Sequence, residues 1–359
     1  MPSWGEIGNE ITAAGTQSGD KQAAFDVVRK AKLAQLANVT GRPTIVYVSD
    51  FTNQSKSTIA SQVGLSAGID LTDKDAFQQT LDGMAGNAVD VVVHSPGGSA
   101  EAAESLVVML RNKFTDVRFF VPSVAKSAAT MFVLSGDRIV MDAGAELGPT
   151  DPQWIFSRNG QVVVAPLQSI RDEFLQIQDE LKKDPSKLPA FIPIIQQFGP
   201  SLLVECDKRI ELTRRHVAEW LERYMFAGTH DAAAKAKDIS EWLADDKNFL
   251  THARRIGMTE LRQHGLIVDD LDDNPELADA VRSVYYAIRL TFLGTGALKI
   301  IENSQGQGMA ISVAQVQMPT NQQPLAPPGS PVAPAPVQAL AGNRAERRRV
   351  EKQQKKGAR

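Results

Sequence analysis

Two short segments of this sequence contain residue types suited to acyl transfer. They read SPGGS, at residues 95–99, and KSAAT, at residues 126–130. A serine hydroxyl can attack a carbonyl carbon, and backbone amides in a glycine turn or at a helix start can hold the negative charge that develops on the oxygen. We therefore predict that Ser127 is a nucleophile. The amides of Gly97, Gly98 and Ala128 are predicted to form its oxyanion hole.

Secondary structure must bring these two segments together. Each follows an uninterrupted apolar run, 91–93 and 117–121, which is typical of a strand buried on both faces of a parallel sheet. Ser99 is predicted to cap a helix over residues 100–114 that connects the two strands. Such a βαβ unit places both turns at the carboxyl edge of the sheet, where open α/β sheets bind ligands.

Three segments resemble a known family. They are HSPGGSAEAAESLVVMLRNKF, VPSVAKSAATM and GAELGPTDPQ. All three resemble the serine dehydrogenase proteinase family, which is related to signal peptide peptidase A and Clp-type serine proteases, and the likeness extends more loosely over residues 1–303. The resemblance implies an α/β fold, a ClpP/crotonase-like superhelix of repeated βαβ units. It also implies that Ser127 is the nucleophile and that Gly97 and Gly98 form the oxyanion hole.

The sequence indicates the general base for Ser127 less clearly than it indicates the nucleophile. Clp-type proteases have a histidine shortly after the serine, but here that region reads GPTDPQ and has none. Enzymes similar to signal peptide peptidase A use a lysine from a downstream helix, whose amine stays neutral because it is buried. The resemblance therefore implies Lys182 or Lys183 as the base, with Lys187 close by. Exposed lysines at a polar helix end are the alternative interpretation.

Other titratable residues are candidates for accessory roles. Lys126 adjoins the nucleophile, although neighbouring side chains in a turn usually diverge. His94 can border the pocket or make a structural hydrogen bond, and His216 and His252 are the further histidine candidates for the base. Asp151 can orient a base or close an oligomer contact.

The remaining elements are predicted from hydrophobic periodicity. Residues 1–20 are expected to be only partly ordered, and residues 50–69 to form a polar connection that faces substrate. Strands are predicted at 44–48 and 134–141, and helices at 21–38, 72–84, 166–183, 189–198, 201–224, 231–245, 258–264 and 275–290.

Composition changes along the chain predict five regions. They are an N-terminal helical segment at 1–40, the catalytic core at 41–165, a helical region packed on the core at 166–313, a linker rich in Pro, Gln and Ala at 314–342, and a disordered basic tail at 343–359.

Charge and cysteine content suggest a setting for the protein. The tail carries eight Lys and Arg against two Glu, a net charge of +6, so the rest of the chain carries −9 of the overall −3. Such asymmetry favours contact between the tail and an anionic partner. A single cysteine, Cys206, excludes an intramolecular disulfide and fits the cytoplasm. A secretory signal and a transmembrane segment are not expected, because the apolar run 290–298 is short.

These observations favour a serine hydrolase, specifically an ATP-independent peptidase acting on a peptide or protein. No metal or cofactor is predicted, because the acidic run 269–273 lacks calcium-loop spacing and no GxGxxG or P-loop motif is present. Relatives of this fold commonly associate, so a homo-oligomer is expected. The alternatives are a catalytically weakened scaffold or binding module, and acyl-CoA chemistry on the crotonase fold.

Overall fold

The computed structural model describes residues 3–158 and 161–313 of the chain, so the predicted linker and basic tail lie outside the described residues. Helices alternate with strands through most of this part. The helices are α1 (Trp4–Ser18), α2 (Lys21–Thr40), α3 (Gln54–Gln62), α4 (Asp73–Leu81), α5 (Ala100–Lys113), α6 (Ala128–Leu134), α7 (Leu167–Lys183), α8 (Leu188–Ile195), α9 (Leu202–Trp220), α10 (Ala232–Ala244), α11 (Met258–Gln263) and α12 (Pro275–Gly294). The strands are β1 (Thr44–Ser49), β2 (Ala88–His94), β3 (Asp116–Val121), β4 (Val124–Ala125), β5 (Arg138–Met141), β6 (Glu146–Leu147), β7 (Gln153–Arg158), β8 (Gln161–Pro166), β9 (Val268–Asp270), β10 (Ala297–Asn303) and β11 (Gly308–Ser312).

A seven-stranded sheet forms the centre of the molecule, in the order β11-β10-β1-β2-β3-β5-β9. The five strands from β1 to β9 are parallel, whereas β10 pairs antiparallel with β1 and β11 pairs antiparallel with β10. Parallel strands joined by helical crossovers need cover on both faces, which accounts for their continuous apolar runs. The predicted α/β fold class is confirmed.

Each face of the sheet has its own apolar core. Val91, Val93 and Phe119 point to one face, where they pack with residues of α4, α5, α6, α9 and α10. Val92 and Phe120 point to the other face, where they pack with residues of α2 and α12. Because side chains alternate along a strand, β2 and β3 contribute to both cores and are buried from both sides. This burial fixes where β2 and β3 end, and therefore where the two turns lie.

The predicted central βαβ unit is confirmed as β2, α5 and β3. Ser99 caps α5 by accepting a hydrogen bond from the Ala102 amide at 3.0 Å, as its position before an apolar helical stripe indicates. β2 and β3 pair in register from Ala88 with Asp116 onward. The two turns therefore leave the same edge of the sheet.

Several elements differ from the sequence-based expectation. Residues 4–18 form α1, which begins with a reciprocal capping box between Ser3 and Glu6. The expected connection at 50–69 contains α3. The strand expected over 134–141 begins at Arg138, because Leu134 ends the buried helix α6. A short apolar run fits a buried helix as well as a strand, so periodicity could not separate them.

The largest difference concerns the region 166–313, which was expected to be helical. It contains β10, which lies beside β1 inside the central sheet. All seven residues of β10 are buried, including Lys299 and Glu302. Two charged residues interrupt the apolar pattern that would otherwise identify a buried strand. Residues 297–303 therefore belong to the core sheet.

The hairpin of β7 and β8 leads from the core into the helices that follow. Its inner side, at Trp154 and Ala165, packs on a small apolar cluster that includes Leu167 of α7 and Cys206 of α9. Within the residues described, none of the helices has the length and apolar character needed to cross a bilayer.

Candidate functional site

Ser127 lies at the turn between β4 and α6 in an unusual backbone conformation. Its φ is +52° and its ψ is −121°. For a residue with a β-carbon such a conformation costs about 1–3 kcal/mol, and it persists where the surrounding structure imposes it. Ser127 is partly accessible, whereas Ala128, Ala129 and Thr130, which follow it in α6, are buried.

The two predicted turns contact each other directly. The Ser95 amide donates to the Val124 carbonyl at 3.0 Å, and the Lys126 amide donates to the Ser95 carbonyl at 3.1 Å. Gly97 lies against the turn that carries Ser127, because a β-carbon added to Gly97 would stand 2.5 Å from the Lys126 carbonyl oxygen. The structure therefore brings Ser127, Gly97 and Gly98 together, as the spacing of the motifs predicts.

The backbone amides near Ser127 are not equivalent. The Gly97 amide donates to the Ser95 hydroxyl at 3.2 Å. The amides of Gly98 and Ala128 make no hydrogen bond to a backbone carbonyl or a side chain in the part of the chain that is described. Two donors without a protein acceptor thus remain in the two turns, one following Gly97 and one following Ser127, and both are available to a ligand.

A further segment supports the glycine turn from its other side. The Ile69 amide donates to the Gly97 carbonyl at 2.6 Å, and the Ile69 carbonyl accepts from the Ser99 amide at 2.9 Å. Gly98 has a φ of +146°, and a β-carbon there would stand 2.3 Å from the Ile69 carbonyl oxygen. The glycine is required both for the dihedral angle and for this close approach. Sequence reasoning missed Ile69, which lies in an unpatterned connection.

Thr130 links α6 to the segment that carries Asp151. Its buried hydroxyl oxygen accepts from the Gly148 amide at 3.1 Å and lies 2.8 Å from the Ala125 carbonyl oxygen. The Thr150 amide in turn donates to the Leu243 carbonyl at 2.8 Å. The first bond ties Gly148 to α6, and the last ties Thr150 to α10, so the chain that leads to Asp151 is held by both helices.

Asp151 and His252 form a close pair. The His252 Nδ1 lies 2.7 Å from Asp151 Oδ1, and the aspartate side chain is 2% exposed while the histidine side chain is partly exposed. A carboxylate can only accept this hydrogen bond, so Nδ1 carries the proton and Nε2 has a free lone pair in the neutral ring. Asp151 Oδ2 is buried without a hydrogen-bond partner among the described residues.

The loop that carries His252 is attached to the nucleophile turn. The Lys126 ammonium donates to the carbonyls of Ala253 and Arg254 at 3.1 and 3.0 Å. It also pairs with Glu146 at 2.9 Å. Lys126 therefore neighbours Ser127 in sequence but directs its amine to the His252 loop. The residue before Ser127 and the residue after His252 are thus joined by the hydrogen bond from the Lys126 side chain to the Ala253 carbonyl.

The two lysines predicted as bases lie on the exposed end of α7. Lys182 is 73% exposed and pairs with Asp179, and Lys183 is 71% exposed and pairs with Glu180. A lysine base needs burial to become neutral near pH 7. Neither Lys182 nor Lys183 has that environment. The nearby Lys187 pairs with Glu180 at 2.7 Å and is also exposed.

His94 is buried at the end of β2, on the side of the sheet covered by α12. Its Nδ1 accepts from the Val124 amide at 3.3 Å, and its ring contacts the ring of Tyr285. Burial, with a further contribution from the charge of Arg289, lowers the pKa of His94 to about 3. The ring is therefore neutral at pH 7, and its hydrogen bond supports the turn that precedes Ser127. His216 stacks on Trp220 and lies 3.4 Å from Glu104.

Comparison with known families identifies the central part of the chain. Residues 72–187 match the family model described as ClpP-like SDH-type serine proteinase, which is less than half of the chain. The matched stretch contains both turns and Asp151. The resemblance predicted from the motifs is confirmed for these residues.

Two proteins of Methanocaldococcus jannaschii are similar in sequence. Uncharacterized protein MJ0137 is 40% identical over 65 residues, which cover 18% of this chain and 23% of that protein. Uncharacterized protein MJ1495 is 30% identical over 132 residues, which cover 34% of this chain and 44% of that protein. The match thus spans less than half the length of each relative.

Two solved structures of mutants of the 1510-N membrane-bound stomatin-specific protease also align with this chain. One, in complex with a substrate peptide, is 17% identical, with 59% of this chain and 75% of that chain covered. The other is 16% identical, with 59% and 79% covered. The TM-score is 0.37 in both cases.

Proposed function

We propose that this chain is a serine peptidase in which the Ser127 hydroxyl is the nucleophile. The observation that carries the proposal is the backbone of Ser127, held at φ +52° against Gly97 at the start of α6. A strained residue whose hydroxyl is presented between two turns is costly for folding and is typical of a functional position. The match of residues 72–187 to a serine proteinase family supports the same reading.

The oxyanion hole is assigned to the amides of Gly98 and Ala128. Both lack a protein acceptor among the described residues. Ala128 follows Ser127 in the chain, and Gly98 follows Gly97, which lies against Ser127. When the Ser127 oxygen bonds to a carbonyl carbon, the carbonyl oxygen becomes negative, and two fixed N–H donors stabilise that charge more than they stabilise the neutral carbonyl. Gly97 has a different role, since its missing side chain lets the turn approach Ser127.

We assign the general base to His252, oriented by Asp151. Asp151 holds the Nδ1 proton, so His252 Nε2 can accept the proton of the Ser127 hydroxyl as the new C–O bond forms. The same proton then passes to the amine that leaves when the peptide C–N bond breaks. In the second half-reaction, water attacks the acyl ester and gives a proton to Nε2. The ester bond between the Ser127 oxygen and the acyl carbon then breaks, Ser127 takes that proton from Nε2, and the carboxylic acid product leaves.

The histidine pair is better placed for this task than the lysines predicted from the resemblance. The loop of His252 is bound to Lys126, next to the nucleophile, whereas Lys182 and Lys183 are exposed and paired with carboxylates of their own helix. A Ser-Lys dyad built on either lysine would need the end of α7 to become buried.

A fluorophosphonate probe tests the proposal directly. The wild-type protein should be labelled on Ser127, and Ser127→Ala should abolish the labelling, while Ser123→Ala, between β3 and β4, should not. If a folded wild-type protein is not labelled, the scaffold or binding-module function replaces this one. Retention of a coenzyme A ester by the unlabelled protein would instead favour acyl-CoA chemistry.

The surroundings of the enzyme are proposed from the sequence. We propose a peptide or protein substrate and a cytoplasmic location. We also propose that the protein is a homo-oligomer, and light scattering at micromolar concentration can test its oligomeric state. Residues 343–359 lie outside the described residues, and we propose that this basic tail contacts an anionic partner. Its binding to single-stranded DNA or to anionic vesicles should weaken steeply with salt, because counterions are released on binding.

A further inference from the structure

A buried ionic cluster lies behind the glycine turn, on the side away from Ser127. Lys299 on β10 has a side chain that is only 1% exposed, and its ammonium lies 2.5 Å from Asp73 Oδ1. The Tyr47 hydroxyl donates to Asp73 Oδ2 at 2.6 Å. Burying a charged pair costs several kcal/mol of desolvation per ion unless the remaining hydrogen bonds are satisfied. Apolar residues of similar size could fill this part of the core without that cost. We therefore expect Lys299, Asp73 and Tyr47 to have a role beyond stability.

The second hydrogen bond of Lys299 leads toward the site. Its ammonium donates to the Gly68 carbonyl at 2.7 Å. The next residue, Ile69, holds the glycine turn through the Gly97 carbonyl and the Ser99 amide. The chain of contacts therefore runs from Lys299 to Gly68, then from Ile69 to the turn, and the turn contacts Ser127.

Asp73 strengthens the same segment from a second direction. Its Oδ2 also accepts from the Asp70 amide at 3.0 Å, so the cluster holds the backbone at both Gly68 and Asp70. Burial, together with the charge of Asp73, raises the pKa of Tyr47 well above its ordinary value. The phenol therefore remains protonated and continues to donate to Asp73.

We infer that Lys299, Asp73 and Tyr47 are positioning residues, which hold segment 68–70 so that the Gly98 amide points at the oxyanion formed on the substrate. The inference rests on the proposed function, since it assigns the cluster a part in that reaction. None of the three side chains needs to contact substrate. Their effect is to fix a donor whose misplacement by a fraction of an ångström weakens transition-state stabilisation.

The same strand provides a matched control. Glu302, three residues after Lys299, forms a buried ion pair with Arg29 at 2.6 Å, and both side chains are almost fully enclosed. That pair ties β10 to α2 on the other face of the sheet and makes no contact with segment 68–70. Each pair can be neutralised by a double substitution, so that no unpaired charge stays buried. The first double variant is Lys299→Met with Asp73→Asn, and the control is Arg29→Met with Glu302→Gln.

The experiment compares the two double variants with the wild type. Fluorophosphonate labelling of Ser127 should slow about 10- to 100-fold in the Lys299→Met and Asp73→Asn variant, which is within the range for a displaced oxyanion donor. Affinity for phenylboronic acid, whose serine adduct is tetrahedral and anionic, should fall by a similar factor. Amide hydrogen exchange over residues 66–70 should become faster. The Arg29 and Glu302 variant should match the wild type in all three measurements, even if its melting temperature falls equally.

The outcomes separate this inference from the proposed function. A wild-type protein that is not labelled overturns the proposed function itself. Normal labelling, boronate binding and exchange in a folded Lys299→Met and Asp73→Asn variant overturn the positioning role, as does an equal loss of rate in the control. If the double variant does not fold, Tyr47→Phe replaces it. Tyr47→Phe should slow labelling to a smaller degree with the fold intact, and an unchanged rate would contradict the inference.

Discussion

Gly97 and Ser127 are so close that a β-carbon added to Gly97 would stand 2.7 Å from the Ser127 β-carbon. Two turns from different βαβ crossovers thus meet with no space for a side chain between them. The contact joins the predicted nucleophile to the predicted donor loop, so a change in one turn must displace the other.

Gly98→Ala tests this coupling. The substitution forces a β-carbon into the Ile69 backbone at a φ of +146°, so the turn must move. We expect a loss of about 1–3 kcal/mol in the free energy of unfolding from backbone strain. Fluorophosphonate labelling of Ser127 should fall roughly 100-fold, because the turn carries the oxyanion donor that we propose.

Gly144→Ala is the control for this change. A β-carbon at Gly144 meets no atom within 4 Å, and its φ is not positive. Labelling and urea unfolding should match the wild type. Wild-type labelling by Gly98→Ala would show that the turn does not contribute to the reaction.

His252→Ala is expected to slow labelling of Ser127 by about 100- to 10,000-fold, the range for loss of a general base. Asp151→Asn should give a smaller loss, because the ring keeps its place but loses the charge that holds the Nδ1 proton. Added imidazole should restore part of the rate of His252→Ala, and it should have no effect on Ser127→Ala. Labelling kinetics measured with and without imidazole check all three expectations.

The double variant Lys182→Met and Lys183→Met tests the lysine bases in the same labelling assay. Both lysines are exposed and paired on α7, so their removal should leave labelling at the wild-type rate. A large loss in this variant, with His252→Ala unaffected, would restore the lysine base implied by the resemblance.

His94 should make the folded protein sensitive to acid. Its pKa is lowered from 6.5 to about 3 in the folded state. Below pH 6.5 the unfolded chain therefore takes up a proton that the folded chain does not, and stability falls as the pH drops toward 3. Between pH 7 and pH 5 this loss amounts to about 2 kcal/mol.

His94→Asn separates this effect from the other titrating groups. An asparagine carbonyl can accept from the Val124 amide, as His94 Nδ1 does, but it does not titrate. Urea unfolding at pH 7 and pH 5 should give a smaller pH-dependent loss for this variant than for the wild type. Equal losses in the two proteins would mean that His94 takes up a proton in the folded state.

Local patterns predicted the central part of the fold and the two turns of the candidate site. A few neighbouring residues are enough to indicate each of these features: the apolar runs of β2 and β3, the cap at Ser99 and the small residues after Ser127. The strands β2 and β3 and the helix α5 between them form where they were expected. Buried parallel strands and helix caps are the features that sequence expresses most directly.

The remaining half of the site depends on contacts between distant residues. Asp151 meets His252 across 101 positions, and Lys299 meets Asp73 across 226. Neither pair has a local pattern, and the charge of Lys299 hides the strand that carries it. A buried charge is understandable only together with its partner, and one sequence does not identify that partner.

The antiparallel pairing of β1 with β10 has a consequence for the stage of synthesis at which the proposed activity can begin. The ribosome makes the chain from its N-terminus, so Ser127 and both turns are translated long before residues 297–303 supply the neighbour of β1. Until then Lys299 is missing, so the Gly68 carbonyl lacks its hydrogen bond to β10 and Asp73 lacks its partner cation. We expect nascent chains that end before residue 297 to react slowly with the probe, so that hydrolytic activity begins only when synthesis of the sheet is complete.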